Sequence, residues 1–91
     1  MPNAAITVAI ADNHAVVREG IRRVLAADPM VRVVGEAADG DAALELVERL
    51  NPEVLVVDVA MPGRTGLAVA AELTRRRSNT RVLILSMHDE P

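Results

Sequence analysis

Short apolar runs and amphipathic stretches alternate along this chain, and the period changes at each turn signal. From Ile6 to Ala11 the residues ITVAIA form an apolar run closed by Asp12-Asn13, which predicts a buried strand. From His14 to Ala27 the positions Val17, Ile21, Val24 and Leu25 recur at helical spacing among charged residues until Asp28-Pro29, the mark of an amphipathic helix. Val31 to Ala37 predicts a second strand, after which Asp39-Gly40-Asp41 supplies turn and N-cap side chains. The helix that follows carries Leu44, Val47 and Leu50 on one face and closes at Asn51-Pro52. Val54 to Val57 is continuously apolar and ends at Asp58, the pattern of a strand covered on both faces. A loop with Met61-Pro62-Gly63 and Thr65-Gly66 leads to a helix over Leu67 to Arg77, and Val82 to Leu85 predicts a fourth buried strand that closes at Ser86.

Strand and helix alternate with short connections, so the expected fold class is α/β with a parallel sheet and right-handed crossovers. Ligands of such sheets sit beyond the carboxyl ends of the strands. Asp12-Asn13, Asp58 and Ser86 all fall there. Composition supports a packed domain: 51% of residues are hydrophobic and 25% charged. A net charge of -3 from 13 acidic and 10 basic residues gives no field that would draw nucleic acid or an anionic membrane, so direct nucleic-acid binding by this segment is not expected. Cysteine is absent, which excludes disulfides and thiolate metal sites, and the apolar runs are too short to span a bilayer. A cytoplasmic protein is expected.

Two carboxylates converging on one sheet edge repel each other unless a cation joins them. Mg²⁺ suits such a place, since it takes oxygen ligands and retains water; Asp12, the Asn13 amide oxygen, Asp58 and the backbone carbonyl of Ala60 are the expected ligands. A carboxylate can also attack phosphorus to give an acyl phosphate, which makes Asp58 the candidate nucleophile. The Ser86 hydroxyl could then bond the new phosphoryl oxygens. Singly, each residue has a plainer role, as a loop residue or a helix cap. Thr65 reads as the N-cap of the third helix, Arg75-Arg76-Arg77 as a solvated helix end, and His14 and His88 as exposed loop residues outside the mechanism.

The segments IADNHAVVREGIRRVLAADP, VVGEAADGDAALELVERLNPEVLVVDVAMPGRTGL and RVLILSMH resemble the receiver domains of two-component response regulators, in particular the NarL/FixJ (LuxR-type) subfamily. The match runs from about Ile6 to the end of the chain. The resemblance implies a flavodoxin-like (CheY-like) three-layer α/β/α sandwich with strand order 2-1-3-4 over residues 1–91. It further implies Mg²⁺-dependent phosphorylation of Asp58 by a sensor histidine kinase, with Ser86 as the switch hydroxyl. In that subfamily a helix-turn-helix DNA-binding output domain follows the receiver. The family usually has Asp-Asp where this chain has Asp12-Asn13; an amide supplies no charge, so weaker Mg²⁺ binding is expected. The family's fourth helix, fifth strand with its lysine and switch aromatic, and fifth helix have no counterpart before Pro91. Strand four would then be an apolar edge, so the chain is expected to be an excerpt of a longer protein or to pair with a second copy as a homodimer.

Two other classes stay open. A degenerate pseudo-receiver would act by protein binding without phosphorylation. A haloacid-dehalogenase-like phosphatase would want a second Asp two residues after Asp58, where Ala60 stands, and no glycine-rich nucleotide loop occurs.

Overall fold

The computed structural model describes residues 5–86. Four strands and three helices alternate over that span: β1 Ile6–Ala11, α1 Ala15–Ala26, β2 Val31–Ala37, α2 Gly40–Leu50, β3 Val54–Asp58, α3 Gly66–Arg75 and β4 Arg81–Leu85. All pairings are parallel and the sheet order is β2-β1-β3-β4, the order implied by the resemblance.

The strand period of two sorts the apolar side chains onto two faces. Ala9, Ala11, Leu55 and Val57 turn toward α2 and α3, where Ala43, Leu44, Leu46, Val47, Val69 and Leu73 close a single core. Val8, Ile10 and Val56 turn the other way and, among the described residues, pack against Ile21 and Leu25 of α1 and neighbouring strand residues. The second face is thin because one helix covers it. None of the α1 residues is buried, and Val24, which the helical periodicity puts on its apolar stripe, is 74% exposed. Beside α1 an apolar groove of about 480 Å³ runs to Leu85 of β4.

Strand β4 corrects the expectation of a buried strand: it is the sheet edge, and Leu83 is 54% exposed. The expected apolar edge is therefore present among the described residues. Of the two histidines, His88 lies outside them.

Local chemistry sets the helix ends. Asp39 caps α2 by accepting the Ala42 N–H at 2.8 Å, and Asn51 ends it with φ 49°, a left-handed conformation that Asn tolerates. Thr65 Oγ1 accepts the Ala68 N–H at 3.1 Å, so the threonine is the cap expected of it. Helix α3 stops two residues before the expected Arg77, because Arg77 itself is left-handed (φ 57°) and Ser78 N–H reaches back to the Leu73 carbonyl at 2.9 Å. An arginine at that position strains the backbone, so Arg77→Gly is expected to raise the unfolding free energy by about 0.5–1 kcal/mol in urea titration.

The arginine run is a helix end, as expected, with a specific partner. Arg75 and Arg76 both bond Glu72, and those two guanidinium groups hold its carboxyl at a pKa of about 2, below its usual 4.5. A depressed pKa contributes stability above the unfolded value and loses it as pH falls through the folded one. The stability difference between wild type and Glu72→Gln is therefore expected to be constant above pH 4.5 and to vanish toward pH 2, as read by thermal melts across that range.

Candidate functional site

The carboxyl ends of β1 and β3 lie side by side, since Ala11 pairs with Val57. Asp12 continues β1 by one residue, its N–H donating to the Ala37 carbonyl at 3.0 Å. Its Oδ1 accepts the backbone N–H of His14 at 2.7 Å, which folds the loop into an Asx turn and brings the His14 Nδ1 to 3.2 Å from the same oxygen. Arg18, one turn into α1, donates to the Asp12 carbonyl and pairs through Nε with Glu36 at 3.1 Å. The β1–α1 connection is thus held at its carboxylate and at its carbonyl, while Asn13 between them is exposed.

Asp58 ends β3. Its Oδ1 accepts the Ala60 N–H at 3.1 Å, and the next residue, Val59, donates to the Leu85 carbonyl at 3.0 Å. That bond ties the β3–α3 loop to the end of β4, where exposed Ser86 follows. The loop then returns to the strand end it left: Gly66 N–H donates to the Val59 carbonyl at 3.1 Å, and a Cβ on Gly66 would stand 2.4 Å from the Asp58 carbonyl oxygen. Gly40 at the start of α2 is pressed as closely on the Arg64 carbonyl, at 2.4 Å for its would-be Cβ, and Met61 sinks into the larger core. Two glycines and one buried methionine therefore fix the loop that carries Asp58.

Asp12 and Asp58 are both buried, at 2% and 6% exposure, and ligand atoms of Asp12, His14 and Asp58 all lie within 4.8 Å of one another. Among the described residues no arginine pairs with either carboxylate. Burying two carboxylates without an arginine partner is costly, and an oxygen-liganded dication fits the place. The structure thus brings the sequence-predicted Asp12 and Asp58 together, sets Asn13 and Ala60 in the loops beside them, and puts Ser86 at the same edge. Sequence reasoning missed His14 and Arg18. Both become relevant only once Asp12 folds the loop back on itself; the signal in the sequence is a histidine two residues after a strand-end aspartate.

The family model for the response regulator receiver domain matches residues 8–91. The chain belongs to that family. Among curated relatives, this receiver is 46% identical over 86 residues to the NarL transcriptional regulatory protein of Mycobacterium tuberculosis, covering 94% of the chain and 40% of that protein. It is 41% identical over 85 residues to the transcriptional regulatory protein DegU of Brevibacillus brevis, covering 93% of the chain and 36% of the relative. The solved signal receiver domain of NarL from Mycobacterium tuberculosis superposes with a TM-score of 0.92 at 45% identity, over 98% of this chain and 72% of that one. The receiver spans about two fifths of the length of the curated relatives it matches. No helix among the described residues is long and apolar enough to cross a membrane.

Proposed function

We propose that this receiver accepts a phosphoryl group on Asp58 from a sensor histidine kinase and passes the change to an output elsewhere in the whole protein. The observation that supports it most is the pair of buried carboxylates, Asp12 and Asp58, at the carboxyl edge of a parallel sheet, with no arginine on either among the described residues. Asp12, Asn13, Asp58 and the Ala60 carbonyl would hold Mg²⁺, which when bound neutralises charge on the phosphoryl oxygens in flight. The chain's own residues do the rest. The Ala60 N–H fixes one oxygen of Asp58. The other oxygen attacks phosphorus; the new O–P bond forms as the P–N bond of the donor phosphohistidine breaks, and the departing imidazole keeps the electron pair and takes up a proton. Charge added at Asp58 acts on the Val59–Leu85 bond and on the Ser86 hydroxyl beyond it, which couples phosphorylation to the edge strand β4.

The relatives' names as transcriptional regulators support a DNA-binding output domain, a regulatory rather than enzymatic role, and a cytoplasmic setting. Asn13 is what favours the pseudo-receiver, since it lacks the charge of an aspartate at that place. An amide oxygen still coordinates, so weaker Mg²⁺ binding with phosphorylation retained is the expected result.

Incubation of the full-length protein with a small phosphodonor and Mg²⁺ tests this. An acid-labile, hydroxylamine-sensitive adduct is expected on wild type, none on Asp58→Asn, and a response at lower Mg²⁺ for Asn13→Asp. No adduct on wild type at any metal concentration, with Asn13→Asp equally silent, would leave the pseudo-receiver as the better account.

A further inference from the structure

His14 occupies the N-cap position of α1 yet makes no side-chain cap bond. Its ring turns instead to the Asp12 carboxylate, with Nδ1 at 3.2 Å from Oδ1, and remains 64% exposed at the side chain. Its backbone leaves it little choice, because the N–H is bound to Asp12 Oδ1 at 2.7 Å and the Asp12 carbonyl is bound by Arg18. A second, independent observation points to a ligand. Every hydrogen bond described for the two buried carboxylates uses Oδ1, so the Oδ2 atoms of Asp12 and Asp58 have no protein partner among the described residues. Neither oxygen is sealed from solvent, since no fully buried side-chain polar atom lacks a partner there. One carboxylate oxygen from each of Asp12 and Asp58 and one His14 imidazole nitrogen lie within 4.8 Å of one another, a mixed oxygen and nitrogen donor set.

That mixture has a chemical preference. Mg²⁺ takes oxygen donors and water, whereas imidazole suits the first-row transition dications, whose affinity for nitrogen rises from Mn²⁺ through Co²⁺ toward Zn²⁺. Asn13 supplies no charge to the site and His14 offers a nitrogen beside it, and both features act in the same direction. We propose that His14 is a third protein ligand of the Asp12–Asp58 cation site, so that this receiver binds a transition dication such as Co²⁺ or Zn²⁺ in preference to Mg²⁺. The proposal rests on the reading of Asp12 and Asp58 as dication ligands given above, and adds to it a residue and a metal class. Ligation would exchange the bond of this exposed ring to Asp12 for a bond to the metal.

Co²⁺ titration of the tag-free, full-length protein tests it, with proton NMR and with competition against Mg²⁺ as separate readouts. Wild type and His88→Ala are expected to show a hyperfine-shifted, solvent-exchangeable imidazole N–H on Co²⁺ addition, and His14→Ala is expected to lose it. Co²⁺ affinity should fall at least about tenfold in His14→Ala, while Mg²⁺ affinity stays within about twofold of wild type. Persistence of the shifted signal in His14→Ala, or equal changes for both metals, or no change for either, would overturn the role of His14. If wild type also forms the Mg²⁺-dependent adduct on Asp58, that failure concerns His14 alone. A wild type that binds neither cation overturns both the third ligand and the dication site beneath it.

Discussion

Leu55→Ala is expected to lower the unfolding free energy by about 3–5 kcal/mol, the upper part of the range for truncating a buried leucine. Leu55 is fully buried in β3, at the middle of the sheet, with α2 and α3 on its side. The cavity left behind is walled by strand backbone and by two helices, so it cannot collapse cheaply. A domain of this size holds roughly 5–14 kcal/mol in all, so the loss consumes a large part of it. The two faces of the sheet should respond unequally. Ile21→Ala on the half-buried stripe of α1 is expected to cost about 1–2 kcal/mol, and Leu83→Ala on the exposed edge about 0.5 kcal/mol or less. Urea unfolding of the three variants gives the order directly; equal costs would mean that the α1 face is packed as tightly as the other.

Gly66→Ala is expected to damage stability and phosphorylation together. The added methyl carbon would lie 2.4 Å from the Asp58 carbonyl oxygen and 3.0 Å from the Val59 Cα, and both neighbours are backbone. Neither can swing aside, so the start of α3 or the end of β3 must move. Overpacking of this kind costs about 2–3 kcal/mol. Displacing the strand end also displaces the Asp58 carboxylate, and a misplacement near 1 Å can slow a positioned reaction about a hundredfold. The same substitution at Gly20 is the control: nothing lies within 4 Å of a Cβ there, so Gly20→Ala in α1 should stabilise by about 0.5–1 kcal/mol and leave phosphorylation unchanged. Urea titration and the initial rate of adduct formation measure both effects on the same samples.

The alternation of elements was legible because each segment carries its own period and its own stop signal, such as Asp28-Pro29 and Asn51-Pro52. The convergence of Asp12 and Asp58 was legible too, since a parallel sheet must place the carboxyl ends of β1 and β3 at one edge. What local pattern does not carry is what covers a face. Val82 to Leu85 is as apolar as Val54 to Val57, yet one lies at the edge and the other at the centre, and only the sheet order separates them. The apolar stripe of α1 likewise predicts a buried face, but a lone helix leaves it half open beside the groove. The start of α3 at Gly66 depends on the close passage of the Asp58 carbonyl, a contact between residues eight apart that no helical periodicity registers. His14 was hidden for the same reason. Its ring reaches the site through the turn made by Asp12, and the turn is held by Arg18 from the next helix.

Asp58 is the proposed phosphoryl acceptor, and chemical trapping tests that most directly. The full-length protein is treated with a small phosphodonor and Mg²⁺, reduced with borohydride, and mapped by peptide mass spectrometry. Reduction of an aspartyl phosphate converts that residue to homoserine, and the conversion is expected at position 58 alone, dependent on the dication and absent without the phosphodonor. Conversion at another carboxylate, or none under any metal condition, would contradict the assignment of Asp58.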